Sequence, residues 1–185
     1  MIEAGLIGLW LVWAAVWVAM ARSVKSIAER AAGSRAHYLP MAVALVLLAA
    51  PQLPLFPLNV RFVPDAPWPA WLGLALTFAG LAFAFWARLR LAGEWSSSVT
   101  LKSDHALIDD GPYRWVRHPI YTGLLLAILG TALAVGEWRA LLALAIAGVA
   151  LWRKLKREEA LLGRQFGEVY ASYCARTRAL IPFVL

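Results

Sequence analysis

The sequence predicts an all-α membrane protein with about five transmembrane helices, and three observations carry that prediction. The first is composition: of 185 residues, 62% are hydrophobic and 16% charged, against roughly half and a quarter in soluble domains. The second is spacing, because apolar runs near the roughly 20 residues that a bilayer core requires recur five times along the chain. The third is charge placement. Of the 18 Lys and Arg residues, all but Arg61 and Arg139 follow the first, third or fifth run, and basic loops face the cytoplasm.

The first run, Ala4 to Ala21, begins at Glu3 rather than at a basic region and is followed by Arg22 and Lys25. It therefore reads as a retained span, not a signal peptide. Trp10, Trp13 and Trp17 recur along it at helical spacing and are expected to pack or face lipid. The second run, Tyr38 to about Phe56, opens with His37 and Tyr38 as interfacial anchors. Pro51, Pro54 and Pro57 make its end irregular and suggest an early stop. The loop Pro57 to Pro69 lies outside and carries no sign of a site.

The third run is Pro69 to about Leu91, the fourth Pro119 to Val135, and the fifth Glu137 to about Leu155. Gly73 and Gly80 are seven apart, as are Gly123 and Gly130, so each pair shares one helix face and favours close packing. The last two runs meet at Gly136-Glu137 and are expected to form a tight hairpin. Five spans place the N-terminus outside and the C-terminal tail inside, with any site built from the basic loops on the cytoplasmic face. The length fits a single domain, 1–185, with three spans in 1–92 and the polar machinery in 93–185.

Net charge of +7 then reflects a basic face against anionic lipid, a better reading than nucleic-acid binding because topology distributes the charges. Cys174 is the one cysteine, which excludes an intramolecular disulfide. With three histidines beside it, a structural zinc site is not expected.

Polar chemistry gathers in three places. The stretch Asp109 to Gly123 joins a turn at Gly111-Pro112 to a helix starting at His118, with Pro119 in the first position that tolerates it. His118, Tyr121 and Thr122 then flank a helix N-terminus whose N–H groups and dipole favour an anion. The loop Gly93 to Asp110 alternates loosely around Val99, Leu101, Leu107 and Ile108, so it is expected to be partly extended and to fold as a cap with the following stretch. In the tail, Lys154 and Glu158 share a helix face. Leu162, Phe166, Val169 and Tyr173 continue an apolar stripe suited to a surface helix, ended by Pro182.

The ordered set Gly111-Pro112-Tyr113, Arg117-His118-Pro119-Ile120-Tyr121-Thr122-Gly123, a hairpin, Glu158-Glu159, Phe166 to Tyr173 and Ile181-Pro182-Phe183 resembles the isoprenylcysteine carboxyl methyltransferases over residues 94 to 185. That resemblance implies an integral membrane enzyme that moves a methyl group from S-adenosylmethionine to the carboxylate of a prenylated cysteine or similar lipophilic acceptor. It further implies that His105, Ala106, Leu107, Ile108, Tyr113, His118, Pro119, Ile120, Tyr121 and Glu158 line the cofactor pocket. Ser98 stands where the family's better-known members carry a cofactor-touching glutamine. Lys154 stands where they carry an arginine near the acceptor carboxylate, with Arg153 and Arg157 as neighbours able to substitute.

Residue chemistry agrees with the resemblance. Glu158 offers an anion for the donor's positive groups, the helix start at His118 suits its carboxylate, and Tyr113 and Tyr121 offer aromatic walls. A carboxylate acceptor is already ionised at neutral pH, so no base is required and Glu158 and Lys154 are the residues expected at the chemistry. Phospholipid N-methyltransferases are similar and imply an amine acceptor, for which Glu158, Glu159 or His118 must act as base. Membrane sterol reductases share the Arg-His-Pro block and imply a nicotinamide cofactor. A scaffold packed through its glycines is the non-enzymatic alternative.

Overall fold

The computed structural model describes residues 1–21, 27–30, 36–49, 56–91, 100–102 and 107–182. Among them are five α-helices: α1 Ile2–Ala21, α2 Tyr38–Ala49, α3 Pro67–Leu91, α4 Pro119–Val135 and α5 Trp138–Arg176. Short strands β1, Ile27–Arg30, and β2, Thr100–Lys102, pair antiparallel, and Gly111–Arg114 forms a single 3-10 turn. The extended segment expected in the loop before Asp110 is thus present at β2. Its partner, in the α1–α2 connection, was not foreseen.

Two helices, Ile2–Met20 and Pro67–Leu91, are long and apolar enough to cross a membrane, while α2 and α4 are apolar but shorter. Of the second expected span, Tyr38 to Phe56, the described helix is the twelve residues Tyr38–Ala49; Phe56 lies in a turn, and 50–55 are outside the described residues. Helix α3 begins at Pro67 and α4 at Pro119, both in the position where proline's missing N–H is harmless. Gly136, at φ 73°, ends α4 in a left-handed cap, its N–H bonding Ala132 O at 2.8 Å.

The α4–α5 hairpin is tight, and the loop 57–66 closes its end. Trp138 N donates to Val60 O at 3.2 Å and Arg139 N to Leu58 O at 2.8 Å, while Phe62 N bonds Gly136 O at 2.9 Å. Backbone carbonyls therefore satisfy the first donors of α5, which lacks a side-chain cap. Buried Arg139 reaches the carbonyls of Leu47 and Leu48 at the C-terminus of α2 and pairs with Glu137 at 2.6 Å. At the opposite end, buried Arg88 donates to Met20 O of α1 at 2.9 Å. Each arginine complements the negative end of a helix.

Helices α3 and α4 approach until backbone meets backbone at their glycines, with only small side chains between them. A Cβ on Gly80 would lie 2.5 Å from Gly123 O, one on Gly123 2.5 Å from Gly80 O, and Gly73 and Gly130 oppose each other in the same way. The two glycine pairs are one interface. Thr77 and Thr131 lie inside it, 3.3 Å apart, and Trp10 Nε1 donates to Thr131 Oγ1 at 3.1 Å. The tryptophan face of α1 thereby packs inward, with Trp13 stacked on Trp17 at 4.5 Å.

The unbroken part of helix α5, 138–166, is about 43 Å long at 1.5 Å per residue, so it outruns the roughly 30 Å of a hydrocarbon core. It breaks at Gly167, whose φ of 48° and ψ of −122° are not helical. The apolar tail stripe is corrected accordingly. Val169 is 63% exposed, whereas Tyr170 and Tyr173, beyond the break, are buried.

Candidate active site

The site is built where the start of α4, the middle of α5 and the segment after α5 meet. His118 caps α4 and Pro119 opens it. The returning segment lies parallel to this entry: Arg117 N donates to Arg178 O at 2.7 Å, His118 N to Ala179 O at 3.0 Å, and Thr122 Oγ1 to Leu180 O at 2.6 Å. Donors that the sequence assigned to an anion at this N-terminus are thus partly taken by the chain itself. Tyr173 hydroxyl donates to Tyr113 O at 2.7 Å, and burial pushes that phenol's pKa upward, so it stays a donor.

Lys154 and Glu158 share a helix face, as their spacing predicted, and that face turns to Tyr121 of α4. Tyr121 hydroxyl lies 2.7 and 2.8 Å from the two oxygens of Glu158. Lys154 Nζ stands 3.5 Å from Glu158 Oε1 and 5.0 Å from the centre of the Tyr121 ring. His118 lies flat against Tyr121, ring centres 5.4 Å apart. Its Nδ1 is 3.6 Å from Glu158 and its Nε2 3.6 Å from Glu159, so the imidazole separates two carboxylates. Nε2 is buried without a hydrogen-bond partner among the described residues.

Glu159 has its own clamp. Arg117 Nε donates to it at 2.7 Å, and Arg117 Nη1 donates to Thr177 O at 2.7 Å. Burial works to raise the Glu159 pKa, but His118 and Arg117 outweigh it and bring it down to about 2. The pair couples α5 to the entry of α4 and to the segment beyond α5. Sequence reasoning noted Glu159 only as an alternative base and missed Arg117 as its partner. Adjacency of Arg117 to His118 and of Glu159 to Glu158 was the available signal.

Of the residues expected in the cofactor pocket, the structure brings together His118, Pro119, Ile120, Tyr121 and Glu158 with Lys154. Ile120, Tyr121, Tyr113, Leu151 and Leu155 share one buried cluster, with Ile108 packed against it. Tyr113 hydroxyl points to Ala87 O at 3.4 Å, which anchors the 3-10 turn to α3. Leu107 is half-buried beside Ile108. Ser98, His105 and Ala106 lie outside the described residues. Arg153 and Arg157 do not join the cluster; they turn to the α2 side of α5.

Residues 68–169 match the family model described as phospholipid methyltransferase. A protein-S-isoprenylcysteine O-methyltransferase of Schizosaccharomyces pombe is 34% identical over 85 residues, 44% of this chain and 35% of that protein. Protein-S-isoprenylcysteine O-methyltransferase B of Arabidopsis thaliana is 31% identical over 90 residues, 46% of this chain and 44% of that protein. The cobalt-zinc-cadmium resistance protein CzcN of Cupriavidus metallidurans is 30% identical over 123 residues, 64% of this chain and 53% of that protein. The chain thus spans about a third to a half of the length of these relatives. The resemblance read from the Arg-His-Pro block and the Glu158-Glu159 pair is borne out.

Proposed function

This chain belongs to the phospholipid methyltransferase family, and from that premise we propose that it transfers a methyl group from S-adenosylmethionine to the carboxylate of a lipophilic, isoprenylcysteine-like acceptor. The observation that carries the reading is the buried Lys154 ammonium held beside Glu158 and Tyr121. A cation at the chemistry attracts an anionic acceptor, and a carboxylate needs no base at neutral pH because its ordinary pKa is near 4.

The residues present fit the donor. S-adenosylmethionine, when bound, supplies an electrophilic methyl group on a cationic sulfonium. Glu158 is 21% exposed and offers an anion to positive groups, His118 Nε2 is buried 3.6 Å from Glu159, short of a hydrogen bond among the described residues, and the His118–Tyr121 pair offers aromatic faces. Glu158, His118 and Tyr121 would therefore hold it, with Ile120 as an apolar wall.

The chain's own contribution is alignment and dryness. Tyr121 fixes the Glu158 carboxylate, Lys154 orients the acceptor carboxylate as a point charge rather than a planar fork, and Leu151, Leu155 and Ile120 exclude water. Holding two reactants in line can supply several kcal/mol of the barrier, and a dry site strengthens every charge interaction within it. In this reading the helices are embedded as five spans, with the site on the cytoplasmic face that the basic loops mark.

An amine acceptor, as the family's description suggests, is the second reading. It fits less well here: Lys154 repels a cationic amine, and Glu158, the nearest base, already accepts from Tyr121 and neighbours Lys154. The deciding experiment incubates detergent-purified protein with methyl-labelled S-adenosylmethionine and either a farnesylated cysteine or phosphatidylethanolamine. Base-labile label on the first alone supports the carboxyl reading. Base-stable label on the second overturns it, and binding of a reduced nicotinamide cofactor with neither product overturns both.

A further inference from the structure

A groove of about 340 Å³ runs between the first turn of α2 and the middle of α5, on the side of α5 away from Lys154 and Glu158. Its α5 wall is a stripe at four-residue spacing: Ala145 and Ile146, then Val149, then Arg153 and Arg157, with His37 opposite. Ala145 to Arg153 is about 12 Å of helix at 1.5 Å per residue, within the roughly 15 Å of hydrocarbon in one leaflet, and Arg157 lies about 6 Å beyond it. One end of the groove is apolar and the other basic, and none of the described residues lining it is acidic. That polarity runs along the helix in the sense of a lipid, chain first and headgroup last.

We propose that this groove holds an anionic glycerophospholipid, one acyl chain along Ala145, Ile146 and Val149 and its phosphate between Arg153 and Arg157. The inference rests on the membrane placement given above, not on the methyl transfer. Arginine suits phosphate because its planar fork donates two parallel hydrogen bonds. A free phosphate would leave the apolar end of the groove unused. The acceptor's carboxylate belongs elsewhere, since consecutive residues are about 100° apart around a helix and Lys154 turns onto Tyr121.

The test is native mass spectrometry of the full chain after incubation with equal phosphatidylglycerol and phosphatidylcholine of identical acyl chains. At about fivefold per basic residue, phosphatidylglycerol should be retained roughly 25-fold better. Arg153→Gln with Arg157→Gln should abolish that preference, and Ala145→Phe should lower retention of both lipids. Binding of S-adenosylmethionine should persist in all three variants. Equal retention of the two lipids, or a preference surviving the double variant, overturns the proposal. So does displacement of phosphatidylglycerol by inorganic phosphate, which would reduce the groove to an anion site. A double variant that keeps the lipid preference but raises KM for the prenylated acceptor reassigns the groove to the acceptor. Lipid preference without S-adenosylmethionine binding would instead sink the methyltransferase reading and leave the groove standing.

Discussion

Replacing Tyr121 by phenylalanine isolates one hydrogen bond at the centre of the site. The hydroxyl carries a single proton and lies 2.7 and 2.8 Å from the two Glu158 oxygens, so it makes one bond shared between two acceptors. Hydrogen bonds to charged groups contribute about 1.5–3 kcal/mol. Phenylalanine keeps the ring that stacks on His118 and underlies Lys154, so packing is conserved. Glu158 keeps Lys154 at 3.5 Å and His118 at 3.6 Å. Its charge therefore persists, and only its orientation is released. Where half of that energy appears in ligand affinity, binding of S-adenosylmethionine weakens about threefold to twelvefold. Calorimetry on the detergent-purified variant reads this directly, with a thermal scan alongside to show that it is folded. Affinity within twofold of the parent, in a folded variant, would mean that Glu158 is not held for the ligand and would refute the reasoning.

Four further outcomes follow from the same geometry. Glu158→Ala and His118→Ala should weaken donor binding while the protein stays folded, whereas Lys154→Ala should raise KM for the acceptor with donor binding kept; equal unfolding of all three removes the support for a site. Glu159 sits near 2 against its ordinary 4.5, so its charge stabilises the fold above about pH 4.5 and the contribution is lost as pH falls toward 2. Partial solvent access trims the full value to about 1–2 kcal/mol, so Glu159→Gln should flatten the fall in thermal stability between those pH values, and an unchanged slope contradicts the clamp. Gly80→Ala forces a methyl against Gly123 O and should cost about 1–3 kcal/mol, read as a lowered Tm, while Trp13→Leu should leave donor binding unchanged.

Much of this architecture was legible because local signals and packing agree. Pro119 and Gly136 punctuate α4 in the positions where their backbone constraints are useful, and the glycine spacing anticipated an interface that its partner helix completes with identical spacing. The Lys154–Glu158 pair followed from helical periodicity alone. What stayed hidden depends on distant backbone: strand β1 has no meaning without β2, and residues 177–180 carry no motif that announces hydrogen bonds to 117, 118 and 122. Gly167 misled because a helical stripe drawn through it ignores a φ of 48°. Arg139 looked like a stray charge on the wrong side, yet it caps α2 through carbonyls that sequence cannot point to.

The strip of backbone joining Arg178 to the entry of α4 also fixes an order of assembly. Helices α3 and α4 hold every residue of their glycine seam and can dock once both are synthesised. The Glu159 clamp closes on Thr177 O, and His118 N is satisfied by Ala179 O, groups that leave the ribosome some sixty residues after His118. Until then the start of α4 has its donors open to water. The entry of α4 is therefore latched late, against an α3–α4 pair already packed, and a chain truncated before Thr177 should keep that pair but lose the S-adenosylmethionine binding proposed above.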